Sequence, residues 1–491
     1  MRIDNFYRLT ARWGPWVYAL LLLGAAWYSQ FAVLSNDSFP LRWQSEHLSL
    51  SQPTSFYDGF FPIAYPLLMR LAREIGSPFR VMETVQILLA ALYFKKASRF
   101  ASSNLDEPSA LIALPFLIFA PQLIRAELSA VPDFFAALFV LLAFVAWTSG
   151  KDNGRWTGLY LGIGLLFRTH VFALAIALTL ALIILDRRRS LKRIMQVWIG
   201  AAPFVLLQGI IQLWSGHGFF ETGQAFNLWK TMHGVDWSNP PSLFGASLLQ
   251  VIFGEPQLFV QTYLVLVINQ LYLLIPLAIY LASTVLKHEP TKPLTSLALA
   301  TFFYLLMTVA GGSARALIPI LPVVILCVIA LFRWVSPSER SSQHGDRLAI
   351  VITVVLMTLS IAALFYGATR ASNRMDTYHN LRATLGLKQP DDARSVYSDD
   401  YALYFPALLE TAPVRSGGWA EIGLPNFLNA NPHIPDSTPA VWYEGLMQHH
   451  ISFAALRVPP IDSRISSFAE LDTTHFVRMP FAGPYAVYRV R

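Results

Sequence analysis

The chain returns repeatedly to uninterrupted apolar stretches of helix length, and no other feature narrows its fold so far. A bilayer core needs about 17 to 25 such residues per crossing helix. On that measure spans are expected near 14–34, 79–95, 106–123, 131–149, 156–168, 169–185, 195–214, 257–284, 294–311, 314–333 and 347–368, about eleven in all. Of the 491 residues, 54% are hydrophobic and only 14% charged, a balance that excludes a soluble enzyme of this length. A membrane barrel is excluded too, because its strands would read as short alternating segments. The expected class is therefore a polytopic α-helical membrane protein.

The apolar region 156–185 is too long for one span and holds Arg168-Thr169-His170 near its middle. Two short helices that meet at the membrane face explain it better than one helix with a buried charge. Eighteen Lys and Arg fall in one alternate set of loops, including Arg2, Arg8, Arg12, the Arg187–Arg189 run and Arg347. By the positive-inside rule that set is cytoplasmic, the N-terminus lies inside, and an odd number of spans puts the C-terminus outside. The expected location is the bacterial inner membrane. The net charge of +7 is accounted for by those loops, so no nucleic-acid partner is implied. The one cysteine, Cys327, lies in an apolar run and supports neither a disulfide framework nor a thiolate metal cluster. Residues 1–12 are basic and precede a span without a cleavage site, which reads as a retained first helix.

A membrane region over 1–370 is expected to carry two outer loops, 35–78 and 215–256. Within the first, 61–75 is amphipathic and suits a helix lying on the membrane surface. From 371 to 491 the composition shifts toward Asp, Ser, Pro and Tyr, and short alternating runs at 393–397, 453–458 and 485–490 read as strands. This tail is expected to be a small extracytoplasmic α/β domain.

Under this topology one face gathers Asp37, Asp58, Arg125, Glu127, Asp133, Arg168, His170, Lys230, His233, Asp236 and Arg315. Ionisable groups at span ends are costly unless paired, so such a gathering marks salt bridges or a site. Asp37 follows the first span, where a carboxylate is placed to take a proton from a substrate hydroxyl. The turn Asn36-Asp37-Ser38 equally suits a solvated residue held by local bonds. Asp133, after Pro132, opens a helix, where a carboxylate is also favoured by the helix dipole. Arg125 pairs naturally with Glu127. Arg168, Lys230 and Arg315 are cations against the orientation rule, suited to a lipid phosphate or to ion pairs with the carboxylates. His170 and His233 match no metal-ligand spacing.

Several motifs in order, Asp37 after the first span, Gly59-Phe60-Phe61-Pro62-Ile63-Ala64-Tyr65-Pro66-Leu67-Leu68, Ser129-Ala130-Val131-Pro132-Asp133, Gly164-Leu165-Leu166-Phe167-Arg168-Thr169-His170, and Ala225-Phe226-Asn227-Leu228-Trp229-Lys230 with Asp236-Trp237, together resemble the C-type glycosyltransferase (GT-C) superfamily. The resemblance points to the bacterial relatives of protein O-mannosyltransferases and of the transferase that adds aminoarabinose to lipid A, related to glycosyltransferase family 39. It implies inverting transfer of a sugar from a polyprenyl-phosphate donor to an acceptor hydroxyl of a glycan, lipid or protein on the outer face. Asp37 matches the family's base and Asp133 its second acidic position. The implied substrate contacts are Arg168, Lys230, Arg315, His170, Tyr57, Tyr65 and Trp229. Asp37 is followed by Ser38-Phe39-Pro40-Leu41 where relatives carry Asp-Glu or Asp-x-x-Tyr, which keeps Asp58 as a rival base. The resemblance fixes no cofactor and leaves a divalent ion, Mg or Mn, open. A transporter or flippase is the reading from another class, but it would set charges at mid-membrane in two pseudo-symmetric halves. A third reading is a non-catalytic accessory subunit of the same fold.

Overall fold

The computed structural model describes residues 3–31, 37–51, 53, 56–57, 61–149, 154–185, 190–219, 224–233, 248–286, 293–308, 314–335, 343–387, 396–398, 438–448, 450–459, 463–481 and 483–491. Asp58 and Asp236 lie outside them.

The helical body runs in chain order as α1 (Ile3–Tyr28), α2 (Ser38–His47), α3 (Ala64–Ile75), α4 (Pro78–Asn104), α5 (Glu107–Ile118), α6 (Pro121–Leu128), α7 (Asp133–Thr148), α8 (Gly154–Leu165), α9 (Val171–Leu185), α10 (Ser190–Trp214), α11 (Gln224–His233), α12 (Leu248–Gly254), α13 (Pro256–Asn269), α14 (Leu271–Leu286), α15 (Pro293–Thr308), a 3-10 turn (Ala314–Ile320), α16 (Leu321–Val335) and α17 (Gln343–Leu385). The protein is a polytopic helical membrane protein. Three stretches, Leu191–Trp214, Arg315–Phe332 and Arg347–Leu385, are long and apolar enough to cross a bilayer, and up to six if each bent pair counts as one span. Four shorter apolar helices (α7, α9, α14 and α15) stand beside them. Among the described residues this falls short of the eleven expected.

Proline explains where the bent pairs break. Pro78, Pro121 and Pro256 each occupy the first turn of α4, α6 and α13. Proline suits a helix start and pushes the residue before it out of the helical region. Ser77 and Ala120 duly have ψ of 117° and 126°. The chain bends by 110° between α3 and α4, by 51° between α5 and α6, and by 108° between α12 and α13. The expected single span at 257–284 is likewise two helices, parted at Gln270.

The region 156–185 folds as two helices with Arg168-Thr169-His170 in the turn between them. α8 packs on α10 along a seam of small residues. A Cβ on Gly158 would lie 1.8 Å from the Val197 carbonyl oxygen, and one on Gly200 2.2 Å from that of Arg155. Only glycine permits this approach, the device by which helices meet closely where lipid supplies no hydrophobic drive.

α17 does not stop near 368 but continues to Leu385, so the boundary expected at 370 falls inside it. Its last turns present Tyr378, Leu381 and Leu385 to the tail, where they pack with Val396, Phe453, Ala455, Tyr485 and Val487. The tail contains β1 (Val396–Ser398), α18 (Pro439–Gln448), β2 (Phe453–Arg457), α19 (Ser463–Leu471), β3 (Phe476–Met479) and β4 (Tyr485–Val490). The strand order is β1-β2-β4-β3, with β1 parallel to β2 and the other pairs antiparallel. On the face away from α17, buried Trp442 stacks on Phe476 at 4.9 Å. β1, β2 and β4 overlap the alternating runs at 393–397, 453–458 and 485–490, and β3 is a strand the alternation did not reveal.

Candidate active site

Four residues far apart in sequence form one ion-pair array. The Arg168 Nη2 atom donates to Asp37 Oδ2 at 2.8 Å and to Asp133 Oδ2 at 2.6 Å, and Arg315 Nη1 also donates to Asp37 Oδ2. Arg168 gets there because α8 ends at Leu165 and its backbone N–H closes a last turn onto Gly164 O at 3.0 Å. Its guanidinium lies over the Phe61 ring, 5.3 Å from the centroid. Arg315 comes from the 3-10 turn, which is held by Tyr304 Oη donating to Ala316 O at 2.7 Å.

Asp37 immediately precedes α2, and its backbone carbonyl accepts from Leu41 N at 3.2 Å. Its side chain does not cap that helix. It turns instead to the two arginines and is 8% exposed as a residue, so the reading of Asp37 as a solvated turn residue does not hold. Asp133 opens α7 directly after Pro132. The stretch before it is set by Gln86 on α4, whose amide donates to Ala126 O at 3.1 Å and Val131 O at 2.9 Å. The first loop is pinned to the α8–α9 turn by Ala64 N donating to Leu166 O at 3.2 Å.

The two carboxylates differ in reach. The Asp133 side chain is 2% exposed and that of Asp37 12%. Both ion pairs of Asp37 fall on Oδ2, and among the described residues Oδ1 makes no hydrogen bond. Among the described residues Asp133 Oδ1, Arg168 Nε and His170 Nε2 are buried without hydrogen-bond partners.

The remaining expected contacts are placed less uniformly. His170 stands edge-on to Tyr304 at 6.4 Å, in the same turn as Arg168. Tyr57 and Tyr65 are both fully buried, Tyr57 edge-on to His217 at 5.1 Å and Tyr65 against Phe135 at 5.8 Å. As placed, they pack the loop and offer no free ring face. Trp229 and Lys230 lie on α11, which packs with α12 and α13, and Trp229 stacks on His233 at 4.4 Å. Among the described residues no hydrogen bond or ion pair joins Lys230 to the array. Glu127, expected beside Arg125, instead accepts the Tyr18 hydroxyl at 2.5 Å.

Gln86 is the positioning residue that pattern reading missed. Its signal was a polar pair, Glu83 and Gln86, three residues apart inside an apolar run. No three His, Cys, Asp or Glu side chains converge as a metal site among the described residues. Asp37 and Asp133 meet at a guanidinium, so this pair does not suit a divalent cation as it stands.

No protein-family model matches the chain, and no curated protein matches it. Solved structures with a similar course include ArnT from Cupriavidus metallidurans bound to undecaprenyl phosphate, at 14% identity and a TM-score of 0.49 over 96% of this chain and 98% of that one. The same protein in the apo state aligns with a TM-score of 0.40, again at 14% identity, over 96% of this chain and 97% of that one. An Archaeoglobus fulgidus oligosaccharyltransferase tethered with an acceptor peptide aligns at 12% identity and a TM-score of 0.49, over 98% of this chain and 74% of that one.

Proposed function

We propose that this chain is an integral membrane glycosyltransferase that moves a sugar from a polyprenyl-phosphate donor to an acceptor hydroxyl on the extracytoplasmic face, with inversion. The observation that carries the reading is the array itself, in which two arginines converge on a carboxylate whose second oxygen has no hydrogen-bond partner among the described residues. Charged groups are not gathered at helix ends in a membrane protein without a partner or a task.

The chemistry asks for little more. A sugar phosphate already has a stable leaving group, so the protein must take one proton and balance negative charge on departure. The acceptor oxygen attacks the anomeric carbon as the bond from that carbon to the phosphate oxygen breaks. The proton passes to Asp37, and the electron pair leaves with the phosphate. Arginine matches phosphate in a bidentate fork. Arg315 and Arg168 therefore exchange part of their hold on Asp37 for the phosphate, which frees the base as the donor arrives. Asp133, the more enclosed carboxylate, keeps Arg168 aimed.

Purified protein incubated with a panel of polyprenyl-phosphate sugars should release the carrier, and Asp37→Asn should abolish the release. If no donor is consumed, or if the variant matches the parent, Asp37 does not have this role.

A further inference from the structure

Gln208 lies on α10, in a segment long and apolar enough to span the membrane. It is 1% exposed, and among the described residues neither its amide nitrogen nor its oxygen has a hydrogen-bond partner. A primary amide brings two donors and an acceptor, and enclosing them unmatched costs free energy that an apolar side chain would not. Gln212, one turn on, is also 1% exposed, and Ser215 is 2% exposed. Spacings of four and seven put all three on one face. Leu206, Leu207, Ile210 and Leu213 are exposed, so the polar stripe is turned inward and the apolar flank outward.

The stripe climbs toward the loop that also serves the array. Ser215 Oγ donates to Pro53 O at 2.9 Å, and Trp214 lies 4.8 Å from Phe56. The Phe56 and Phe61 carbonyls both accept from Gln44 Nε2, at 3.1 and 3.5 Å, while Gln44 Oε1 has no partner. Phe61 is the ring beneath Arg168.

We infer that Gln208 forms a hydroxyl-recognition subsite for the neutral sugar of the transfer, on the helix whose end holds the loop that also serves the array. The inference rests on the proposed glycosyl transfer and adds the part of the site that chooses among sugars. The three side chains of the stripe are uncharged and suit a polyol rather than an anion. A buried amide without a partner also discriminates strongly, because a ligand lacking the matching hydroxyl leaves that amide unpaired. The hydroxyls belong either to the donor sugar or to an acceptor glycan, and the two sources are separable.

The test titrates the full-length protein in lipid nanodiscs with bare polyprenyl phosphate and with polyprenyl-phosphate hexoses. A second arm adds short oligosaccharides at fixed donor. In the donor arm the parent should prefer the best hexose-bearing carrier over the bare carrier by about tenfold or more. Gln208→Met should lose most of that preference while binding bare carrier equally well, with an unliganded Tm equal to or above the parent's. Loss confined to the oligosaccharide arm assigns the subsite to the acceptor. Unchanged behaviour in both arms overturns the inference, and a fall in unliganded Tm with both arms unchanged makes the amide structural and overturns it too. If Gln208→Met does not fold, Gln208→Asn, which keeps the amide but withdraws it, is read in the same arms with the same outcomes. A parent that binds no carrier at all overturns the transferase reading itself and this subsite with it. A variant as discriminating as its parent overturns the subsite alone.

Discussion

Two pairs of carboxylates sit in the helical body under opposite regimes. Asp37 and Asp133 share Arg168, and Asp37 has Arg315 as well. Glu83 and Glu127, both 0% exposed, have no cation in an ion pair among the described residues. Glu127 accepts one hydroxyl, from Tyr18, on Oε2 and leaves Oε1 bare, while both oxygens of Glu83 are bare. The described cations thus pair with the carboxylates at the helix ends, and not with those where charge is hardest to bury. That contrast separates exchangeable pairing from acids that belong to the packing.

The largest expected effect is on turnover. Asp37→Asn should lower carrier release by about 10²- to 10⁴-fold, the usual weight of a general base, with the fold intact. Equal turnover would place the base elsewhere, with Asp58 the first candidate.

Arg168→Met leaves Asp133 without its cation and Asp37 with Arg315 alone, and losing one side of a buried pair costs about 3–5 kcal/mol. It should lower the unfolding free energy on that scale, read by denaturant or thermal titration in detergent. If stability is unchanged, the pairing is not what holds Asp37 and Asp133 together.

Gln in place of Glu at the deeper positions sharpens the contrast from the other side. Glu127→Gln still accepts from Tyr18, so the change in stability should stay within about 1.5 kcal/mol, the size of one hydrogen bond. Glu83→Gln should be milder still, and both variants should release carrier at the parent's rate. A loss of activity at either position comparable to that of Asp37→Asn would dissolve the distinction between the two pairs.

The smallest effect lies in the tail. Asp472 accepts from His475 Nδ1 at 2.7 Å, and this bond and the backbone N–H beside it hold its carboxyl below the usual range. A depressed carboxyl stabilises the fold above its unfolded pKa and loses that contribution as pH falls through the folded one. Asp472→Asn should therefore differ slightly from the parent at neutral pH and converge with it in strong acid, measured as Tm against pH. A difference that widens on acidification would reverse the sign.

Much of the array was legible in the sequence because charge stands out against an apolar ground. Asp37, Asp133, Arg168 and Arg315 each interrupt or border an apolar run, and the turn at Arg168 followed from the energetic cost of a mid-span guanidinium. Which oxygen meets which nitrogen was not legible, since partners 131 and 278 residues apart leave no periodic trace. The helix breaks before Pro78, Pro121 and Pro256 leave no mark on hydropathy, because a proline that starts a helix is as apolar as the run it interrupts. The long course of α17 escaped for the converse reason. After Ala368 the apolar run ends, but Ala371, Met375, Tyr378, Leu381 and Leu385 continue one buried face at helical spacing. Gln86 escaped because a neutral amide leaves no mark on a charge map, although its carbonyl partners shape the approach to Asp133.

α17 runs 43 residues without a break, about 65 Å at the rise of an α-helix, with one end in the membrane body and the other bearing the sheet. Such a rod works as a ruler. It fixes the separation between the helical body and the sheet. Twist applied to the tail is delivered along the same shaft to the helix that precedes Asp37, because α17 lies against α1 and Asp376 accepts from Gln30 at 3.5 Å.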